Sequence, residues 1–240
     1  MLLIYGGFSV FTALVFIIFT REAPPTPPCP KGMENRALML DGLKSMLRTK
    51  NVWIMLILFL VGMGIFNGIS TWIASIVRPR GFTVFQAGNL GGVLLFGDIA
   101  GAIVLPVLSD RLQKRKPFLL IGMVLSIPGM LGVIFANQYW LLMISMFFLG
   151  FFLISLAPVG YQYVAEITYP APEGTSNGLL NLAGQSSVIF IYGMEVLKGK
   201  DGSFRVSLLT LAGLMVLCVI LILWLKESKI LSTRALLEEN

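Results

Sequence analysis

Five polar side chains stand inside long apolar stretches, where solubility does not require them: Asn67, Asp98, Tyr161, Asn181 and Gln185. Asn181 and Gln185 are four residues apart and share one face of a helix. Asn67 is a lone amide in Gly64-Ile-Phe-Asn-Gly-Ile69. A buried amide needs a partner, either on another helix or on a ligand, and both alternatives stand for these three residues. Asp98, in Phe96-Gly-Asp-Ile-Ala-Gly101, makes a stronger demand. An ionised side chain at the centre of a membrane helix costs about 2.5–3.5 kcal/mol on insertion scales, so a cavity, a cation or a proton must compensate it. The chemistry these groups offer is recognition of a small polar or cationic solute. Covalent catalysis has no residues to work with. Histidine is absent, the two cysteines Cys29 and Cys218 are far apart, and neither paired cytoplasmic carboxylates nor a nucleophile motif occurs. General acid–base, triad and zinc chemistry are excluded on that ground, and neither an enzyme, a metal site nor a cofactor is expected.

The elements that must hold these residues are membrane helices. Hydrophobic residues make up 56% of the 240 and charged ones 12%. The apolar residues arrive in blocks of about twenty, enough to cross hydrocarbon. Seven spans are expected: 2–20, 52–77, 86–108, 118–136, 139–165, 176–196 and 206–225. The first block has no basic residue before its apolar core and no small-residue cleavage site after it, which argues against a secretory signal. Arg21 and Glu22 close it as a stop-transfer flank would. With these spans, all of the 18 Lys and Arg except Arg78, Arg80, Lys198, Lys200 and Arg205 fall on one side. That bias predicts a cytoplasmic C-terminus. The net charge of +6 then reflects basic loops facing an anionic leaflet, and no nucleic-acid partner is needed.

Between the first and second spans, Arg21-Glu-Ala-Pro-Pro-Thr-Pro-Pro-Cys-Pro30 reads as a stiff polyproline-like spacer. It is followed by an amphipathic segment with Met39, Leu40, Leu43, Met46 and Leu47 opposite Asp41, Lys44 and Arg48. This segment is expected to lie on the membrane surface, with a partner-binding helix as the alternative. The stretch from Glu166 to Asn181 interrupts two spans with a compact polar turn. Pro170 and Pro172 stop the incoming helix, Gly174 permits an unusual backbone angle, and Thr175 or Ser176 is the expected cap of the next helix. Gly88 with Gly92 and Gly97 with Gly101 form small-xxx-small faces, and Pro128 and Pro158 free carbonyls inside their spans. These suit either static packing or rocking of one bundle on another.

A long cytoplasmic loop followed by six spans resembles the second half of a major facilitator superfamily transporter. Asp110-Arg-Leu-Gln-Lys-Arg-Lys116 resembles that superfamily's inner-loop motif G-x-x-x-D-R-x-G-R-R, with Pro106 at the first glycine position and Gln113 at the second. Both departures weaken the tight turn but keep the charges. The resemblance implies that Asp110 and Arg111 latch one state of the transporter, the Asp sitting against a helix N-terminus from the other half. Pro158-Val-Gly-Tyr161, Ala165-Glu-Ile-Thr-Tyr-Pro170, Pro172-Glu-Gly-Thr-Ser176 and Gly178-Leu-Leu-Asn181 narrow it. Together they resemble the feline leukaemia virus subgroup C receptor-related transporters, a family linked to choline, ethanolamine and haem. Asn181-Leu-Ala-Gly-Gln185 matches that family's N-x-x-x-Q, which implies that Gln185 lines the substrate cavity. The family's F-Y-x-x-S-T is represented by Phe66-Asn-Gly-Ile-Ser-Thr71, with Asn67 in place of an aromatic that would favour a quaternary ammonium group.

The expected fold is all-α, a multi-pass transmembrane bundle equal to half of a major facilitator fold plus one helix. Residues 1–20 would be the last helix of an N-terminal bundle, 21–51 the inter-bundle loop, 52–225 the C-terminal six-helix bundle and 226–240 a cytoplasmic tail. Asn67, Asp98, Tyr161, Asn181 and Gln185 are the expected substrate contacts. Asp110, Arg111, Arg115, Glu166 and Glu173 are the expected inner gate. The expected partners are the cell-membrane bilayer, a small solute, and either the missing N-terminal bundle or a second subunit. The alternative function is a non-transporting subunit that binds or regulates a full-length transporter.

Overall fold

The computed structural model describes residues 2–20, 39–200 and 202–228. The polyproline-like spacer and most of the expected tail lie outside the described residues. Among those described, all regular structure is helical: α1 (Leu2–Phe19), α2 (Met39–Leu47), α3 (Lys50–Val77), α4 (Val84–Arg111), α5 (Lys116–Phe135), α6 (Tyr139–Leu153), α7 (Leu156–Thr168), α8 (Glu173–Gln185), α9 (Val188–Val196) and α10 (Arg205–Trp224), with a 3-10 turn at Arg78–Arg80. The chain forms two compact units, 1–36 and 37–240. The first contains α1, an apolar helix whose large side chains from Leu3 to Phe19 are exposed.

Among the described residues of the second unit, five continuous or once-broken helical stretches are long and apolar enough to cross a membrane: Lys50–Arg80, Val84–Arg111, Lys116–Phe135, Tyr139–Thr168 and Arg205–Trp224. The expected span 176–196 is built differently. It consists of α8 and α9 separated at Ser186 and Ser187, and α8 carries Glu173, Asn177, Asn181 and Gln185. Those polar residues and the break keep it from forming one long apolar helix. The Ser186 hydroxyl donates to the Leu182 carbonyl at 2.9 Å, a back-bond of the kind that bends helices. The other break follows from proline. Pro158 has no N–H for the Ile154 carbonyl, so α6 ends at Leu153 and that carbonyl is taken by the Ala157 N–H at 2.9 Å.

Van der Waals packing rather than water exclusion holds helices together in lipid, so close approach is decisive. A Cβ on Gly97 or Gly101 of α4 would meet the backbone of Phe147 or Phe151 on α6, and one on Gly150 of α6 would meet the Leu94 carbonyl. The two helices therefore touch backbone to backbone. A Cβ on Gly88 or Gly92 would meet nothing within 4 Å, so that second face is unused within the unit. Gly64 and Gly68 of α3 receive Phe190 and Met194 of α9. Ile65, Ile69, Leu90, Met130, Leu142, Met146 and Met215 fill the centre.

Two local expectations are corrected. The helix after the polar turn begins at Glu173, capped by Pro172 without a side-chain bond, and Ser176 donates to the Glu173 carbonyl instead of capping. Gly174 lies within that helix and is not among the positive-φ glycines. The amphipathic α2 packs against α3, α7 and α8 of the unit. Met46 is buried, and Gly42 faces Ala171 and Pro172 so closely that a Cβ there would approach the Ala171 methyl to 3.1 Å.

Candidate functional site

At the end of the unit where α4 stops and α5 starts, the chain turns through a Schellman motif. The Gln113 N–H donates to the Asp110 carbonyl and the Lys114 N–H to the Ser109 carbonyl, each at 3.2 Å. Gln113 adopts φ +49°, the left-handed conformation that glycine would take without strain. The turn forms despite the missing glycine and swings Arg115 back beneath α4. The Arg115 side chain is 5% exposed and pairs with Asp110, while its Nε and Nη2 donate to Glu166 Oε1 at 3.1 and 3.0 Å. Nη1 also donates to the Ser109 hydroxyl at 3.1 Å. Burial acts to lower the Arg115 pKa, but hydrogen bonds and charge from Asp110 and Glu166 outweigh it, and the pKa is raised. Glu166 Oε2 is buried with no hydrogen-bond partner among the described residues.

Glu227, just past α10, completes the cluster. Its Oε1 accepts the backbone N–H groups of Arg115 and Lys116 at 2.9 and 3.2 Å, a carboxylate at the positive end of α5. Asp110 therefore bonds Arg115 here, while Glu227 occupies a helix N-terminus. Of the five expected gate residues, Asp110, Arg115 and Glu166 come together. Arg111 is exposed, and Glu173 is exposed in the first turn of α8.

The mid-span polar residues form two separate ties. Asn67 Nδ2 donates to the Ser187 hydroxyl at 3.0 Å, joining α3 to the break before α9. The Tyr161 hydroxyl donates to Asn181 Oδ1 at 2.8 Å, joining α7 to α8. Tyr161 also packs on Phe59, with ring centroids 4.9 Å apart at 60°. Asn181 and Gln185 are exposed on α8, and Gln185 makes no hydrogen bond among the described residues. Asp98 is half-buried on α4, next to the α6 crossing at Gly150, with no side-chain hydrogen bond or ion pair among the described residues. No bond joins it to the other four.

Sequence reasoning missed Ser187, Phe59 and Glu227. A serine pair after Gly184 was a signal for a break. A lone acid beside basic residues after the last span was a signal for a helix-terminus contact. Phe59 carried no mark that set it apart from other core aromatics.

The family model for the Major Facilitator Superfamily matches residues 1–115 and 76–237. The chain belongs to the Major Facilitator Superfamily. This transporter superfamily accounts for a multi-pass, all-helical membrane protein. An uncharacterized protein of Archaeoglobus fulgidus is 34% identical over 230 residues, covering 95% of this chain and 100% of that relative. A choline/ethanolamine transporter of Danio rerio is 29% identical over 228 residues, covering 89% of this chain and 46% of its own length. One from Mus musculus is 32% identical over 202 residues, covering 78% and 35%. The chain thus spans less than half the length of these choline/ethanolamine transporters, and they bear out the narrower resemblance read from the motifs around Glu166. Among solved structures, a D-xylose-proton symporter matches with a TM-score of 0.57 at 18% identity, over 84% of this chain and 52% of that one. At that identity the likeness concerns the facilitator fold alone.

Proposed function

We propose that the chain forms one wall of a secondary transporter for a small organic cation of the choline class, working by alternating access opposite a second helical bundle. The observation that carries this reading is the exposed polar face of α8 beside an aromatic pair: Asn181 and Gln185, with Tyr161 packed against Phe59 at a tilt of 60°. Amide oxygens and a phenol ring suit a quaternary or primary ammonium group. Asn67 supports the site indirectly, since its bond to Ser187 fixes the α8–α9 break near Gln185. Asp98 supplies a counter-charge for the solute or a coupling proton, because a carboxylate without a protein partner inside a span needs a cation to offset its burial. Asp110, Arg115 and Glu166 act as the inner gate, with exposed Arg111 and Glu173 available to the opposing bundle. The positive-inside bias supports a cytoplasmic C-terminus, and the cell membrane is the proposed location.

Radiolabelled choline uptake by liposomes tests this, with the chain reconstituted alone and together with the N-terminal half of a choline/ethanolamine relative. Saturable uptake is expected only in the second case. Gln185→Ala should reduce the apparent affinity up to about tenfold, the scale of one lost hydrogen bond to the choline hydroxyl, and Asp98→Asn should abolish accumulation. Unchanged uptake in both variants removes these residues from the site, and no uptake in either preparation retires choline.

A further inference from the structure

At the end of the second unit opposite the Arg115 cluster, an open cavity of about 220 Å³ lies between the end of α3, the end of α5 and the start of α10. Pro79, Arg80, Phe135, Asn137, Ser203 and Arg205 line it. Arg80 is built in. It donates to the carbonyls of Val133, Ile134 and Ala136 at 2.7, 3.0 and 2.9 Å, groups at the end of α5 that lack intrahelical donors. Among the described residues, three of its five N–H groups are used. The Arg205 guanidinium lies 5.3 Å from the Phe135 ring centre and makes no side-chain hydrogen bond or ion pair among the described residues. Both guanidiniums carry the same charge and line the same cavity. In the segments forming this end, Glu195 is engaged with Lys198 at 3.5 Å, and Asp201 lies outside the described residues.

Two like charges held together in one cavity cost stability unless an anion separates them. We infer that this cavity binds a phosphate-type oxyanion bridging Arg80 and Arg205. The guanidinium fork matches such a group bidentately, and Asn137 supplies a further polar contact on the wall. The phosphate of a phospholipid is the source that fits the position. Tyr139 and Trp140 begin α6 at the same end, with Trp140 74% exposed, and such aromatics mark headgroup depth. Inorganic phosphate presents the same chemistry.

Thermal unfolding of the purified full chain in phosphate-free detergent distinguishes these sources, with titrations of phosphatidylglycerol, of inorganic phosphate and of diacylglycerol as the phosphate-free lipid. Phosphatidylglycerol should raise the Tm, with an apparent affinity about tenfold weaker in Arg205→Gln and an intermediate loss in Arg205→Lys. Inorganic phosphate giving the whole Arg205-dependent shift at millimolar concentration would keep the site and assign it to a soluble anion. No shift with either phosphate source, a shift indifferent to Arg205→Gln, or an equal shift with diacylglycerol would overturn the inference.

Discussion

Arg115 shows how a single side chain gathers an end of the fold. It is buried, so its charge must be met, and it is met by two carboxylates from different helices, Asp110 on α4 and Glu166 on α7. The two are not equivalent: the Asp110 side chain is 62% exposed and that of Glu166 10%. Glu166 therefore dominates, since its interaction is little screened by water, whereas an exposed partner contributes little. Glu166→Gln keeps the shape and removes the charge from a buried pair. It should destabilise by about 2 kcal/mol, or roughly 4–8 °C in Tm for a chain of this length, while Asp110→Asn should cost less than half of that. Equal losses in thermal unfolding of the two variants would show that burial does not rank the partners. The charges of this cluster were legible because the loop motif and the acid before the Tyr-Pro turn are sequence-local. Their partnership was not, because Glu166 and Arg115 are brought together only by the packing of α5 and α7. Gln113 shows the same limit from the other side. Its residue type argued against the turn, yet two backbone hydrogen bonds and the Arg115 pairings outweigh a strain of about 1–2 kcal/mol.

At the scale of elements, spacing of small residues announced that helices would approach closely but not which face would be used. Gly97 and Gly101 lie against the α6 backbone, and Gly88 and Gly92, with the same spacing, meet nothing in this unit. The difference is tertiary: Gly150 on α6 is the complementary gap, and nothing local to α4 encodes it. Gly101→Ala should force α4 and α6 apart and cost about 1–3 kcal/mol, the usual range for overpacking. Gly92→Ala should be neutral or stabilising by about 0.5–1 kcal/mol through helix propensity. Melting both variants in one detergent checks the contrast, and a destabilising Gly92→Ala would mean that this face is packed after all. Span positions were legible because hydropathy follows from bilayer thickness. The breaks were only half legible: Pro158 marks the first, while the second at Ser186 and Ser187 depends on a hydroxyl back-bond and on Asn67 reaching across from α3.

For the whole molecule, the two polar ends of the second unit carry opposite devices. One end balances its buried arginine with carboxylates, and the other leaves Arg80 and Arg205 facing a cavity without one among the described residues. The proposed inner gate requires the Arg115 end to face the cytoplasm, and the excess of Lys and Arg there favours that orientation. Single cysteines test the assignment directly. In a Cys29→Ser background, Lys114→Cys and Lys200→Cys occupy exposed positions at opposite ends, while Cys218 is fully buried and does not compete. In intact cells a membrane-impermeant maleimide should label Lys200→Cys and spare Lys114→Cys until the membrane is permeabilised. The reverse pattern would invert the topology, place the Arg115 cluster outside, and turn the proposed inner gate into an outer one. Labelling of both in intact cells would indicate dual insertion, in which case the charge bias, weakened by five basic residues at the far end, does not fix the orientation.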